Sequence, residues 1–456
     1  MTLAEGLWPR ERRARAIAAA CLTVGALYLA KAIYRGLSFD RGDFYYSLPG
    51  AYAQHLNPTL WNSPDLRTAL DFNHGAYLYG PTQYLTLFPI VFLDSYRSIA
   101  LVLLGLYVGA LLLAWHLLWK LLVSGEPEMP GSAAMLFAIV FAFLPLTQVL
   151  IQREFEAIAW LALVAACTAF VRRRDAASGA AVAFLTWFKY WPIVFVAAFV
   201  MHRRLKAIGV FVIASLALLG SAHALFGLPN FLIGRTAGIV TGLVRPLGSG
   251  EVLYPAIPRG AQKSDFCRQW IWGRGTVADV RWALCGVEDR FPALPARPIF
   301  FAILAVTAIV FVWGALRLEM RPALSGVEGP VEAKWGAIWE FSLLAIAGGA
   351  FVHAHYYYFI VFLLPLSALA FWYLLRPQPW RRAKMALLAT SYLLLNAFMI
   401  PTSWLSVVLE RDAWALFLDS GLCLLGLLLL LGLVLWELVQ CSMPRVVRSA
   451  APATTT

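Results

Sequence analysis

The stretch FDRGDFYYSLPGAY, residues 39–52, sets two carboxylates, Asp40 and Asp43, among aromatic residues just where a long apolar run ends. Carboxylates in that setting have the chemistry of a general base. A dry aromatic environment raises a free pKa of about 3.9 and makes the group a better proton acceptor. Within hydrogen-bond reach of an attacking hydroxyl it contributes roughly 10²- to 10⁴-fold. Asp43 is the first choice and Asp40 the second. Groups suited to the opposite task, holding a phosphate, lie elsewhere: Lys189 in FLTWFKYWPIVFV, His353 and His355 in FVHAHYYYF, and Arg235 and Arg245 in a later polar stretch. A phosphate needs fixed positive charge and hydrogen-bond donors rather than a protonating acid. Each of these residues also has a plainer reading. The acids can cap a helix or sit in solvent, Lys189 can snorkel to a headgroup, and the histidines beside three tyrosines can be interfacial anchors.

The elements that must position these groups follow from composition. Of 456 residues, 61% are hydrophobic and only 14% charged, too little polar surface for a soluble chain of this length. An all-α polytopic integral membrane protein is expected, organised as a single transmembrane domain over residues 1–456. The formal net charge is +12, but its placement matters more than its sum. Arg10, Arg12, Arg13 and Arg15, RRRD at 172–175, HRRLK at 202–206, RLEMR at 317–321, RPQPWRRAK at 376–384 and PRVVR at 444–448 fall between apolar runs and mark the cytoplasmic side. Nucleic acid is not needed to explain them. The first apolar run, behind the N-terminal arginines, is too long for a signal-peptide core and reads as a retained span.

Spans are expected near 14–35, 97–120, 131–150, 157–171, 207–226, 299–317, 336–352, 356–375, 384–405 and 413–436. Residues 176–200 are flanked by basic clusters at both ends yet too short for two full crossings, which predicts a short hairpin with Lys189 near its apex. The total is about twelve membrane helices, two of them short, with 84–93 as an interfacial or re-entrant segment. Two large extracytoplasmic loops, 36–82 and 227–297, are able to fold over a site, and 318–335 reads as a cytoplasmic linker. Cys267 and Cys285 share the second loop, on the oxidising side. A disulfide there would stabilise the loop by about 3 kcal/mol, and two unpaired thiols are the alternative.

The ionisable candidates gather on the extracytoplasmic side. A transporter should carry them near the midplane, whereas an enzyme acting on a lipid-linked phosphate should carry them at the interface. No metal site is expected: DRGD lacks the acid spacing for one, and His353 with His355 lack a third ligand. Neither a Walker loop nor a Rossmann fingerprint is present, so no cofactor is expected and a soluble nucleotide donor is disfavoured. A lipid or polysaccharide transporter remains the alternative.

In order along the chain, DFYYSLPGAY after the first span, YGPTQYLTLFPIVFL, the turn IQREFEAI, FLTWFKYWPIVFV and HAHYYYFIVFLLPL resemble the GT-C glycosyltransferases. The family they resemble is glycosyltransferase family 87, which contains polyprenyl-phosphate-mannose-dependent α-mannosyltransferases. One departure is the turn itself, IQRE where the family pattern has Gly-Gln followed by Asn. The resemblance implies a GT-C-like fold in a bacterial cytoplasmic (inner) membrane with the active site facing the extracytoplasmic side. It also implies a sugar, mannose-like, carried on a polyprenyl phosphate and moved with inversion to the hydroxyl of a lipid or glycan acceptor. In that scheme Asp43 is the base and Lys189, His355 and His353 meet the donor phosphate. Tyr45 and Tyr46 anchor the stretch at headgroup level and offer flat faces to a sugar ring.

Overall fold

The computed structural model describes residues 2–38, 81–93, 96–189, 191–226, 293–325, 330–351, 356–396 and 422–442, with 280, 284–285, 288 and 291 as isolated pieces. Every regular element among them is helical. A short capped helix, α1 (Leu3–Leu7), precedes α2 (Arg12–Ser38), which carries the first apolar run. The re-entrant candidate is α3 (Pro81–Leu87) continued by a 3₁₀ turn, Phe88–Phe92. Then come α4 (Tyr96–Val123), α5 (Ser132–Phe141), α6 (Leu144–Gln152) and α7 (Glu156–Val171). The short hairpin is α8 (Asp175–Lys189), a 3₁₀ turn at Trp191–Phe195, and α9 (Val196–Met201). The chain continues as α10 (Leu205–Phe226), α11 (Ala296–Ser325), α12 (Pro330–Phe351), a 3₁₀ segment Tyr356–Phe362 running into α13 (Leu363–Leu375), α14 (Arg381–Leu395) and α15 (Leu422–Ser442).

Six of these segments are long and apolar enough to cross a membrane, or seven if α5 and α6 count as one bent span. That is fewer than the twelve expected. Part of the gap lies in helices shorter than a full crossing, such as α7 and the 3₁₀–α9 arm, and residues 397–421 lie outside the described set. The outer faces of α2, α10 and α11 expose Leu27, Ile213, Leu216 and Ile309, apolar surface that hydrocarbon rather than water would cover. Inside, Trp119, Trp160, Trp335, Trp339 and Tyr373 are fully buried. The helices extend into the stretch read as a linker, α11 to Ser325 and α12 from Pro330.

The run expected as one span at 131–150 is broken, with α5 and α6 meeting at 61°. Pro145 has no N–H to continue the helix, and the freed backbone groups need partners that lipid cannot supply. Asn396, at the end of α14, supplies them: its Oδ1 accepts from Leu144 N at 2.6 Å and its Nδ2 donates to Ala142 O at 3.0 Å. One turn earlier the Tyr392 hydroxyl donates to Ile139 O at 3.0 Å. Leucine at position 396 leaves both backbone groups unpaired in the core. The expected cost is roughly 2 to 4 kcal/mol, measured as a lower unfolding temperature in detergent, and Tyr392→Phe should cost less than half of that.

The basic ends of the helices are locked by ion pairs. Arg204 Nη1 donates to Phe170 O at 2.6 Å and to Asp175 Oδ1 at 3.2 Å, and His202 Nε2 lies 2.8 Å from Glu340 Oε2. Glu126 holds Arg376 at 3.0 Å, Lys334 at 3.4 Å and the Trp335 indole. Glu437 accepts from Trp372 Nε1 at 2.7 Å, from the Tyr373 hydroxyl at 3.1 Å and from Lys384 Nζ at 2.7 Å. This last pairing lets α15 continue to Ser442, past the boundary at 436 expected from the charge alone.

Candidate active site

α8 starts with Asp175 in its first turn and ends with Lys189 in its last, each charge complementing the helix dipole. Pro192 then ends α-helical continuation and the chain reverses through the 3₁₀ turn into α9. With 15 residues α8 rises ~22 Å, and with 16 residues α7 rises ~24 Å, against ~30 Å of hydrocarbon. α4, with 28 residues, is ~42 Å long. At the end opposite the basic clusters, the start of α7 and the finish of α8 therefore stop short together, and a cleft opens there.

Glu156, Lys189, Trp191 and Tyr358 line this cleft, with Leu163 and Phe188 among its apolar wall; it is narrow, with a cavity volume of about 20 Å³. Lys189 and Glu156 form an ion pair whose side chains are only 8% and 4% exposed. The Lys189 ammonium also stands 3.5 Å from the centroid of the Tyr358 ring and 5.2 Å from that of Phe188, a cation–π arrangement that holds the charge in place. Trp191 is fixed from behind by α12. A Cβ on Gly348 would come within 2.1 Å of its indole, so only glycine lets the ring seat there.

The turn from α6 into α7 holds the other side. Arg153 caps α6 in the left-handed region at φ 54°, and Glu154 N closes onto Val149 O at 2.8 Å. The Arg153 guanidinium donates to Gly36 O at 3.0 Å, near the end of α2. Gly36 itself is pressed against α6, where a Cβ would meet Leu150 O at 2.8 Å. The last turn of α2 is thus tied to the turn that begins at Arg153 and leads into Glu156. On a third side α3 is tied to α8 by Thr82 Oγ1 donating to Phe184 O at 2.9 Å. Phe184 stacks with Phe155 at 6.2 Å and Phe155 meets Phe188 at 4.7 Å, so an aromatic wall runs from α3 to the cleft. Next to Thr82, Gln83 is 1% exposed and its Oε1 has no hydrogen-bond partner among the described residues.

Of the residues singled out in the sequence, Lys189 is in the cleft. Asp40, Asp43, Tyr45, Tyr46, Arg235, Arg245, Cys267, His353 and His355 lie outside the described residues. Cys285 is disulfide-bonded, whereas Cys21, Cys167, Cys423 and Cys441 are in no disulfide. Among the described residues no three His, Cys, Asp or Glu side chains gather to hold a metal ion. The cleft adds Tyr358, and it gives a place to Glu156, which the sequence offers only as one of several ionisable candidates in the turn at 152–156. Both stood in segments already marked, the IQREFEAI turn and the HAHYYY run. Their meeting with Lys189 has no signature in spacing, because three separate elements supply the three groups.

A buried lysine held at the end of a short hairpin, across from the α6–α7 turn, is the arrangement against which the family comparison can be set. Residues 77–244 match the model of glycosyltransferase family 87. The matched stretch runs from just before α3 through α10, and so carries Thr82, the Arg153 turn, Glu156 and Lys189. It leaves Asp40, Asp43, Arg245, His353, His355 and Tyr358 outside. The match is consistent with a GT-C-like glycosyltransferase, and with the long apolar helices it supports a membrane glycosyltransferase acting on a sugar donor and an acceptor. Comparison with curated proteins and with solved structures gave no match.

Proposed function

We propose that the protein transfers a hexose, mannose-like, from a polyprenyl-phosphate donor to the hydroxyl of a lipid or glycan acceptor, with inversion at the anomeric carbon. The site faces the extracytoplasmic side of a bacterial inner membrane. Lys189 meets the donor phosphate, assisted by His355, His353 and, from the second loop, Arg235 and Arg245. Asp43, with Asp40 beside it, takes the proton of the acceptor hydroxyl, and Tyr45 and Tyr46 flank the sugar. Cys267 is the proposed partner of Cys285, since the other four cysteines are in no disulfide.

The observation that carries this reading is the ammonium in the cleft. Lys189 is almost buried, lies within the stretch matching glycosyltransferase family 87, and sits in an apolar-walled opening. Burying the Lys189–Glu156 pair costs desolvation that the pairing only partly offsets, which favours a role at the cleft over one in packing. A lipid-linked phosphate is the anion that a membrane glycosyltransferase brings to such a place. α2 ends at Ser38, beside the turn that leads to Glu156, and Asp40 and Asp43 follow it directly in the chain.

The test is direct transfer. Purified protein, a membrane extract as acceptor source and radiolabelled polyprenyl-phosphate mannose should yield a labelled lipid or glycan. Polyprenyl-phosphate glucose and a nucleotide-linked mannose are the comparison donors. Label moving only from the nucleotide-linked sugar would sink the proposal. Label-free translocation of the lipid across sealed vesicles, with no new glycosidic bond, would favour a transporter instead.

A further inference from the structure

We propose that Glu156 is a resident counter-ion: its carboxylate holds Lys189 in the empty enzyme, gives way when the donor phosphate arrives, and returns to help release the product. This rests on the reading of Lys189 as the group that meets the donor phosphate. Lys189 and Glu156 are paired at contact distance inside the cleft, with side chains 8% and 4% exposed. A phosphate that reaches the ammonium by this opening therefore approaches a carboxylate as well. Two anions on one ammonium in a dry site repel each other strongly, so the carboxylate and the phosphate compete for Lys189.

The carboxylate has somewhere to go. Glu156 is the first residue of α7 and lies in its acidic first turn, where the helix dipole favours negative charge. Arg153 stands in the turn just before it. A phosphate that takes Lys189 therefore leaves Glu156 with the helix dipole as its compensation, and the cost of that loosened pairing is what drives the carboxylate back. Tyr358 completes the device from the other side: its ring lies 3.5 Å from the ammonium and holds the cation in position during the exchange.

Chemistry then drives the return. As the sugar leaves, the anomeric carbon–oxygen bond breaks with its electron pair on the phosphate, and the acceptor oxygen makes the new bond and passes its proton to the base. The polyprenyl phosphate so formed carries one more negative charge than the donor did, and a lone lysine would hold it longer. Competition from Glu156 shortens its stay.

Binding of polyprenyl phosphate and of polyprenyl-phosphate mannose to the full-length protein in nanodiscs tests this, using the wild type, Glu156→Gln and Lys189→Met. Gln removes the competing charge and keeps the shape. Glu156→Gln is expected to bind polyprenyl phosphate about threefold tighter or more, to lower KM and kcat together, and to show stronger product inhibition. Equal or weaker binding by Glu156→Gln, with its unfolding temperature unchanged, overturns the counter-ion role. If Lys189→Met binds donor as well as the wild type, the donor-site reading of Lys189 fails instead, and the two failures are thereby distinguished. Should Glu156→Gln not accumulate as folded protein, Glu156→Asp takes its place. The shorter side chain draws the carboxylate back from the ammonium, so tighter binding supports the proposal and equal or weaker binding overturns it.

Discussion

Asparagine at position 43 should lower turnover at least about a hundredfold while donor still binds. Asn keeps the size of Asp and its hydrogen-bonding capacity but cannot take a proton from the acceptor hydroxyl, so the loss falls on kcat rather than on donor affinity. α2 fixes where this segment starts. Its last turn is fastened by Gly36 O to Arg153 and by the close approach of Gly36 to Leu150, and Ser38 ends the helix. Asp43 follows five residues after Ser38 in the sequence, a length of chain that spans at most ~18 Å. Asp40→Asn should be milder. Single-turnover assays with pre-bound donor separate the chemical step from binding. If Asp43→Asn keeps near-normal turnover and Asp40→Asn loses it, the two acids exchange roles. If neither matters, these carboxylates only cap the first span and the proposed mechanism loses its base.

Much of the fold was readable because its physical cause is local. Apolar runs predict α2, α4 and α10 to within three residues of their ends, and α11 at its start, although that helix runs on eight residues past its expected end. The hairpin at 176–200 was readable from basic clusters at both ends and a length too short for two crossings; it becomes α8 and a 3₁₀–α9 arm with Lys189 at the turn. Three features were not readable, and each depends on a partner far away in the chain. The 131–150 run is apolar throughout, and its break at Phe143 is stable because Asn396 caps both sides of it. Glu437 looks like the end of a span but is neutralised by Lys384 and bonded to Trp372 and Tyr373, so the helix runs on. Glu156 reads as a polar turn residue until α8 brings Lys189 to it. Hydrophobic pattern reports where a chain prefers to sit, whereas a buried charge reports what it has paired with, and a single sequence holds only the first kind of information at short range.

Methionine at position 189 should weaken donor binding about tenfold or more, since a charge-assisted contact to phosphate is lost and nothing of the same kind replaces it. The straight stem of Met keeps the packing against Phe188 and Tyr358. The single variant is nevertheless ambiguous, because Lys189 has a structural partner. Removing it leaves Glu156 in a site where its side chain is 4% exposed. An unpaired buried carboxylate costs about 3 to 5 kcal/mol unless it takes up a proton. A loss of activity in Lys189→Met could then reflect a loosened α7–α8 contact rather than a missing phosphate ligand. The double variant Lys189→Met/Glu156→Gln separates the two, because it removes both charges and leaves no stranded ion. Its unfolding temperature should return most of the way to that of the wild type. Donor affinity should not return, because the ammonium that would meet the phosphate is still absent. Recovery of both stability and donor binding in the double variant would mean that Lys189 serves only to neutralise Glu156, and the donor phosphate would have to be held by the histidine turn or the second loop. Recovery of stability alone assigns Lys189 to the donor, and makes the Glu156 pairing the form in which the cleft waits for it.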